Sequence, residues 1–145
     1  MPEPLLAMLV TRTFILDDAD KLLLIRRVAN DRHNPGLWEP AGGKVDKGEK
    51  VSAARDREIF DETGLYVKSV SPIFIIGERM VTMGRFGEIP LIPMFSVARV
   101  VSGKLKLKID EHDASAWVSY LEMFSYRLTP EARTAAKQLK EYLWI

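Results

Sequence analysis

Cysteine is absent from the 145-residue chain, which removes disulfide bridges, thiolate metal ligands and a cysteine nucleophile from consideration. Long apolar runs are absent as well. Apolar stretches such as Leu22 to Ile25 and Ile73 to Ile76 fall far short of the roughly 20 residues that a membrane-spanning helix needs, so no membrane partner is expected. A strong net charge is also missing. Lysine and arginine number 21 against 20 for aspartate and glutamate, so no large field draws the molecule to nucleic acid or to an anionic membrane, and attraction for phosphate has to be local. Histidine is scarce, with only His33 and His112, which leaves a dedicated zinc site few nitrogen donors. The opening Met1-Pro2-Glu3-Pro4 lacks the basic stretch of a secretory signal, and the chain reads as cytoplasmic.

An apolar share of 47% and a charged share of 28% match an ordinary packed protein, not a disordered or fibrous one. At this length roughly two-thirds of the unfolded chain's surface can be buried, so residues 1–145 are expected to form one domain with no room for a second. Leu5 to Leu16 and Lys21 to Arg27 are β-rich runs around the turn residues Asp17-Asp18-Ala19-Asp20, which predicts a β-hairpin. From Val28 to Gly43 the chain reads as irregular, with Asn34-Pro35-Gly36 as a turn and Pro40-Ala41-Gly42-Gly43 as a break.

Lys50 to Thr63 has neither glycine nor proline and is followed by Gly64, which predicts a helix closed by a left-handed residue. Leu65 to Arg79 and Ile89 to Val101 read as strands, with Pro90 and Pro93 arguing for an edge position or an irregular start to the second. Lys104 to Ile109 alternates lysine with apolar residues and predicts a half-exposed strand. Glu111-His112-Asp113 reads as a polar loop before a short strand at Trp117. Thr129-Pro130-Glu131 opens a final helix whose Ala132, Ala135, Ala136, Leu139 and Leu143 form one apolar stripe. Strands and helices thus interleave, as in an α/β domain.

On the first helix Glu58, Asp61 and Glu62 are spaced three and four residues apart, so their side chains share a face with bases roughly 5–6 Å apart. Two such charges about 4 Å apart repel by roughly 4 kcal/mol at an effective dielectric of 20, which folding alone does not reward. A cation reverses that sign, and clustered carboxylate oxygens suit a hard ion such as magnesium. Taken alone, an acid-rich helix face is usually only solvated surface.

The surrounding frame changes the odds. Gly43, Glu49, Arg57-Glu58-Ile59, Asp61-Glu62, Gly64 and Leu65 stand at the intervals G-x5-E-x7-R-E-U-x-E-E-x-G-U, with U a bulky apolar residue. This stretch resembles the Nudix box, and one fixed position departs from it: Asp61, where the family usually carries glutamate. The resemblance implies a Nudix-like α/β/α sandwich with a mixed central sheet. It further implies Mg2+-dependent hydrolysis, with Mn2+ as a substitute ion, of a phosphoanhydride bond in a nucleoside diphosphate linked to another group.

By the same resemblance the metal ligands are Gly43, Glu58, Asp61 and Glu62, with Asp61 holding the ion either directly or through a water. Gly43, Glu49, Arg57 and Gly64 form the structural frame of the box, Arg57 bracing the loop through Glu49. Candidate catalytic groups are Glu58, Glu62 and Glu111, and Asp113 is a further candidate base. Arg27 and Lys44 are candidates for the substrate phosphates, the run around them being similar to that of mutator-type nucleoside triphosphatases. Trp38 is a candidate for stacking on a base, against an alternative as core filler, and His33 lies in the approach loop.

The expected partner is a small nucleotide. Trp38-Glu39 before the glycines favours a nucleoside triphosphate, oxidised ones included, while Pro40-Ala41-Gly42 is similar to ADP-ribose-type members. Those members often carry a proline beyond the box near the place where this chain has Val81. A nucleotide-binding module without turnover is the alternative from a different class. No basic tail is present to hold a long polyanion, which argues against nucleic acid, and the resemblance leaves room for a homodimer.

Overall fold

The structure, a computed structural model, describes residues 2–143. Among them nine strands form one connected mixed network: β1 (Met8–Leu16), β2 (Leu22–Arg27), β3 (Trp38–Glu39), β4 (Ala41–Lys44), β5 (Leu65–Ser69), β6 (Phe74–Ile75), β7 (Arg79–Thr82), β8 (Glu88–Gly103) and β9 (His112–Val118). The main path runs β3-β2-β1-β8-β5. To it β4 is added on β1, β9 on β2, and β6 and β7 on β8. β1 and β8 are parallel, in register from Met8 opposite Leu91 to Leu16 opposite Arg99, and the other pairings are antiparallel.

The near-continuous apolar runs of β1 and β2 follow from burial on both sides of the sheet. Phe14, Leu16, Leu22 and Leu24 point into one layer, where they meet α2 (Tyr120–Met123) and α3 (Pro130–Leu139). Ile15, Leu23 and Ile25 point into the other, with Ile59 of α1 (Val51–Thr63). Ala132, Ala135, Ala136 and Leu139 are buried, as their helical spacing predicts, and the Thr129 hydroxyl accepts the Ala132 N–H at the start of α3. The result is the α/β/α sandwich with a mixed central sheet that the box implies.

Several expectations change in detail. β1 and β2 are in register only at Leu16 opposite Leu22; they then diverge, β1 taking β4 and β8 while β2 takes β3 and β9. The glycine-rich stretch expected as a break is strand β4, because β1 supplies partners from Val10 to Thr13. The stretch from Leu65 to Arg79 is divided among β5, β6 and the start of β7, interrupted where Pro72 cannot donate a ladder bond. Despite Pro90 and Pro93, β8 is a central strand. Pro93 stands opposite Val10 of β1, and on the other side it falls in the interval between β6 and β7, where its missing N–H breaks no registered pair.

The segment from Lys104 to Ile109 is not a strand, although its alternation is real, since Leu105 and Leu107 pack on the α1 side of the core. Its backbone is occupied elsewhere: Lys106 N–H donates to Thr63 O at 2.8 Å and Lys108 N–H to Glu62 O at 3.3 Å, capping the end of α1. His112 and Asp113, expected in a loop, open β9 instead.

Gly64 closes α1 at φ 72°, donating its N–H to Phe60 O, and a Cβ there would sit 2.6 Å from Lys104 O. Gly48 also has a positive φ, 83°, but faces open space. Gly64→Ala is therefore expected to cost about 2 kcal/mol or more, and Gly48→Ala only the roughly 1 kcal/mol of the left-handed backbone. Paired denaturant melts would show this, and equal losses would contradict the role given to the Lys104 carbonyl.

Candidate active site

Pairing of β4 with β1 lays Gly42 and Gly43 against the flank of α1 that carries Glu58 and Glu62. Along this seam opens a cavity of about 710 Å³, its wall including Lys44, Glu58, Glu62, Glu111 and His112, with Arg12, Arg27 and Glu39 behind them. A second cavity of about 540 Å³ adjoins it, and both are bordered by His33, Asn34, Arg79, Thr129 and Glu131.

Glu39, only 3% exposed, is the hub of the inner wall. Its Oε2 accepts from Arg27 Nη1 at 2.9 Å, lies 2.9 Å from His112 Nε2 and 3.6 Å from Arg12 Nη1. Burial opposes the charge on Glu39, but Arg12, His112 and Arg27 outweigh it and hold the carboxyl down to about 2. Arg27 is further tied to Asp31 through Nη2 at 2.6 Å, and that contact, with the backbone N–H groups of Asn34 and His33, overcomes desolvation and keeps the Asp31 carboxyl low.

Glu62 is the opposite case. Its Oε1 accepts the Gly42 N–H at 2.7 Å, and its Oε2 lies 3.7 Å from His112 Nδ1, too far for a hydrogen bond. Burial pushes its carboxyl up to about 7, against the pull of Arg12, His112 and the Gly42 N–H, with Glu39 nearby adding to the rise. Glu58 stands where Gly43 has no side chain; a Cβ at position 43 would overlap its carboxylate.

Arg57 secures this geometry from outside. Its Nε and Nη2 grip Glu49 at 2.8 and 2.9 Å, Nη1 reaches Glu58 at 2.9 Å, and Nη2 donates to Lys44 O at 3.3 Å. The bidentate contact with Arg57, aided by the Asp46 N–H, holds the Glu49 carboxyl down to about 2.

The family model for the NUDIX domain matches residues 8–142. The chain belongs to the Nudix hydrolase family. It is 31% identical over 121 residues to the nucleoside triphosphatase NudI of Escherichia coli O139:H28 (strain E24377A / ETEC), covering 79% of this chain and 84% of that one. It is also 49% identical over 45 residues to the m7GpppN-mRNA hydrolase NUDT17 of Danio rerio, a match that spans 31% of this chain and 15% of that relative's length. The crystal structure of a MutT protein from Methanosarcina mazei Go1 shares the fold, at TM-score 0.71, 24% identity and 97% coverage of both chains. An ADP-ribose pyrophosphatase from Streptococcus suis 89-1591 is similar at TM-score 0.59 and 25% identity, over 92% of this chain and 87% of that one.

Within the Nudix frame the residues singled out by sequence part into groups. Glu58, Glu62, Gly43, Lys44 and Glu111 border the cleft, Glu111 with an ion pair to Lys108 at 3.3 Å. Asp61 does not border it. Its side chain is 52% exposed and, among the described residues, forms an ion pair with Arg57 alone, at 3.8 Å, so the three acids of α1 do not form one equivalent face. Arg27 borders the cleft, with two of its nitrogens committed to Glu39 and Asp31 and the buried Nε without a hydrogen-bond partner among the described residues.

Trp38 lies elsewhere. It packs edge-on against Tyr126 at 5.0 Å, partly buried on the α3 side of the core, and does not border the cleft. Asp113 is paired with Arg26 at 2.8 Å outside the cleft. Sequence reading passed over Arg12, Asp31, Glu39 and His112 as site residues. The available signal was a charge set in otherwise apolar strand sequence, at Arg12 in β1 and Glu39 in β3.

Nudix hydrolases generally use a divalent cation, and the donor set here fits one. Glu62 is buried with a charge that its surroundings disfavour, Glu58 faces a position kept clear of a Cβ, and donor atoms of Glu62, Glu111 and His112 lie within 4.8 Å of one another. Because the folded Glu62 carboxyl titrates near 7 and the unfolded one near 4.5, it takes up protons on folding between those values and its contribution to stability declines as pH rises through that window. With a chelator present, Glu62→Gln is thus expected to raise stability at pH 7.5 by about 1–3 kcal/mol. The gain should vanish near pH 4.5 in thermal melts, and a glutamine that destabilises at neutral pH would contradict the assignment.

Proposed function

We propose that this chain hydrolyses a nucleoside triphosphate to the monophosphate and pyrophosphate, with Mg2+ as cofactor. One observation carries the reading: Glu58 and the buried Glu62 converge on Gly42 and Gly43 at a cleft that Arg12, Arg27, Lys44 and Arg79 also border. Gly43, Glu58 and Glu62 would hold the ion, which when bound supplies neutralisation of diphosphate charge and a more acidic water. The chain's own groups do the rest. Lys44, and Arg79 beside its partner Glu131 at 2.7 Å, border the cleft as candidate cationic contacts to the phosphates. Arg27 with Glu39 fixes the inner wall, so that the acids keep their positions when substrate enters.

Glu58, Glu62 and Glu111, which all border the cleft, are the candidate acceptors of a proton from the water that attacks phosphorus. The similarity to NudI, named as a nucleoside triphosphatase, supports this substrate class. With no cysteine to oxidise, the chain suits the cytoplasm, where such nucleotides lie. A second reading, cleavage of an ADP-sugar to AMP and a sugar phosphate, is favoured by the adjoining 540 Å³ cavity, which leaves room for a second group.

A magnesium-dependent screen of nucleoside triphosphates, ADP-ribose, dinucleoside polyphosphates and capped RNA tests the proposal by its products. Pyrophosphate with a nucleoside monophosphate is the expected pair; AMP with a sugar phosphate would favour the second reading. Ligand binding without product would make the chain a nucleotide-binding module. Glu58→Gln and Glu62→Gln are each expected to lower kcat by at least about 100-fold with the fold intact. Asp61→Asn should cost only a few-fold, since Asp61 does not border the cleft, and a loss as large as that of Glu62→Gln would overturn this division of the acids.

A further inference from the structure

His112 is 2% exposed at the start of β9, yet only one of its two ring nitrogens is engaged. Nε2 lies 2.9 Å from Glu39 Oε2, whereas Nδ1 has no hydrogen-bond partner among the described residues. A buried polar atom left without a partner is costly to a fold. The tautomer follows from the neighbours. Glu39, facing Arg12 and Arg27, is a carboxylate that can only accept, so Nε2 carries a hydrogen, and in the neutral ring Nδ1 is then the nitrogen with the free lone pair. A carboxylate that receives one ring N–H and so aims the other nitrogen is the usual outer support of a metal-ligating histidine.

The free nitrogen faces donors. Nδ1 lies 3.7 Å from Glu62 Oε2, too far for a hydrogen bond and within a few tenths of an ångström of the span of two bonds of about 2.1 Å to one tetrahedral ion. Glu111, the neighbouring residue, supplies a third donor: one ligand atom each of Glu62, Glu111 and the His112 ring lie within 4.8 Å of one another.

We propose that His112 Nδ1, with Glu62 and Glu111, forms a mixed nitrogen–oxygen cation position that takes a divalent ion of the first transition row in preference to Mg2+. It rests on the reading of this cleft as a cation-dependent hydrolytic site, and it adds a ligand that the box does not contain. The physical ground is donor type. Magnesium holds oxygen ligands and retains its waters, whereas an imidazole nitrogen favours ions further along the transition row. Glu62 is shared between this position and the Glu58 and Gly43 side of the cleft.

Electron spin-echo modulation of the 145-residue chain loaded with Mn2+ alone tests this without turnover. The wild type is expected to show the nitrogen coupling of a directly bound imidazole, and His33→Gln, which removes the chain's other histidine, to retain it. His112→Asn should lose the coupling and weaken Mn2+ binding by about 10–100-fold in calorimetry, with a much smaller change for Mg2+. Bound Mn2+ without nitrogen coupling in the wild type would overturn the proposal and leave the hydrolase reading standing. An equal loss of Mg2+ and Mn2+ affinity would overturn the ion preference, and failure of Mn2+ to bind at all would end both readings. If His112→Asn does not fold, the wild-type and His33→Gln spectra still decide.

Discussion

A single carboxylate oxygen, Oε2 of Glu39, joins four strands. Arg12 reaches it from β1, Arg27 from β2 and His112 from β9, while Glu39 itself belongs to β3. Removing one partner from a buried ion pair typically costs about 3–5 kcal/mol, because the remaining charge stays desolvated. The arrangement at Glu39 is thus held mainly by the penalty of leaving any member alone. It also fixes where β9 begins, opposite Arg27 of β2, and through His112 it sets the surroundings of Glu62.

The outer half of the site is secured by different physics. Arg57, Glu49 and Glu58 are partly exposed, and an isolated surface pair of this kind is worth less than about 1 kcal/mol. Their value is positional: a guanidinium bound to two carboxylates and a backbone carbonyl keeps the loop after β4 in place beside α1. Buried and exposed charges therefore divide the labour, the first setting protonation and the second setting geometry. Glu62, at the meeting of the two, is the one acid of α1 whose burial opposes its charge.

Asp61 marks the limit of carrying a motif over by position. Helical spacing puts Glu58, Asp61 and Glu62 on neighbouring radii, but β4 covers only part of that arc. Glu62 is enclosed, Glu58 meets the gap left by Gly43, and Asp61 faces solvent beside Arg57. A shorter acid at the exposed position is tolerable there, since nothing in the cleft wall depends on its reach.

Local rules made the helix that ends at Gly64, the capped start of α3, the apolar stripe of that helix and the box spacing legible in the amino-acid order alone. Each is written within a few turns of chain, where spacing maps directly onto a helix face or a cap. The sandwich was legible only through the resemblance of the box to a known family. Other features rest on contacts between distant residues. Glu39 meets His112 across 73 positions, and the Gly42 N–H meets Glu62 across 20, so neither partner's burial is visible from its neighbours in sequence. Lys104 to Ile109 alternates like a strand, yet its N–H groups were claimed by the end of α1. Trp38 was placed in the core by Tyr126, and Asp61 in solvent by what β4 leaves uncovered. Local periodicity determines which residues share a face; only the packed chain decides what that face meets, and for a charged group that contact sets whether it is screened, paired or poised.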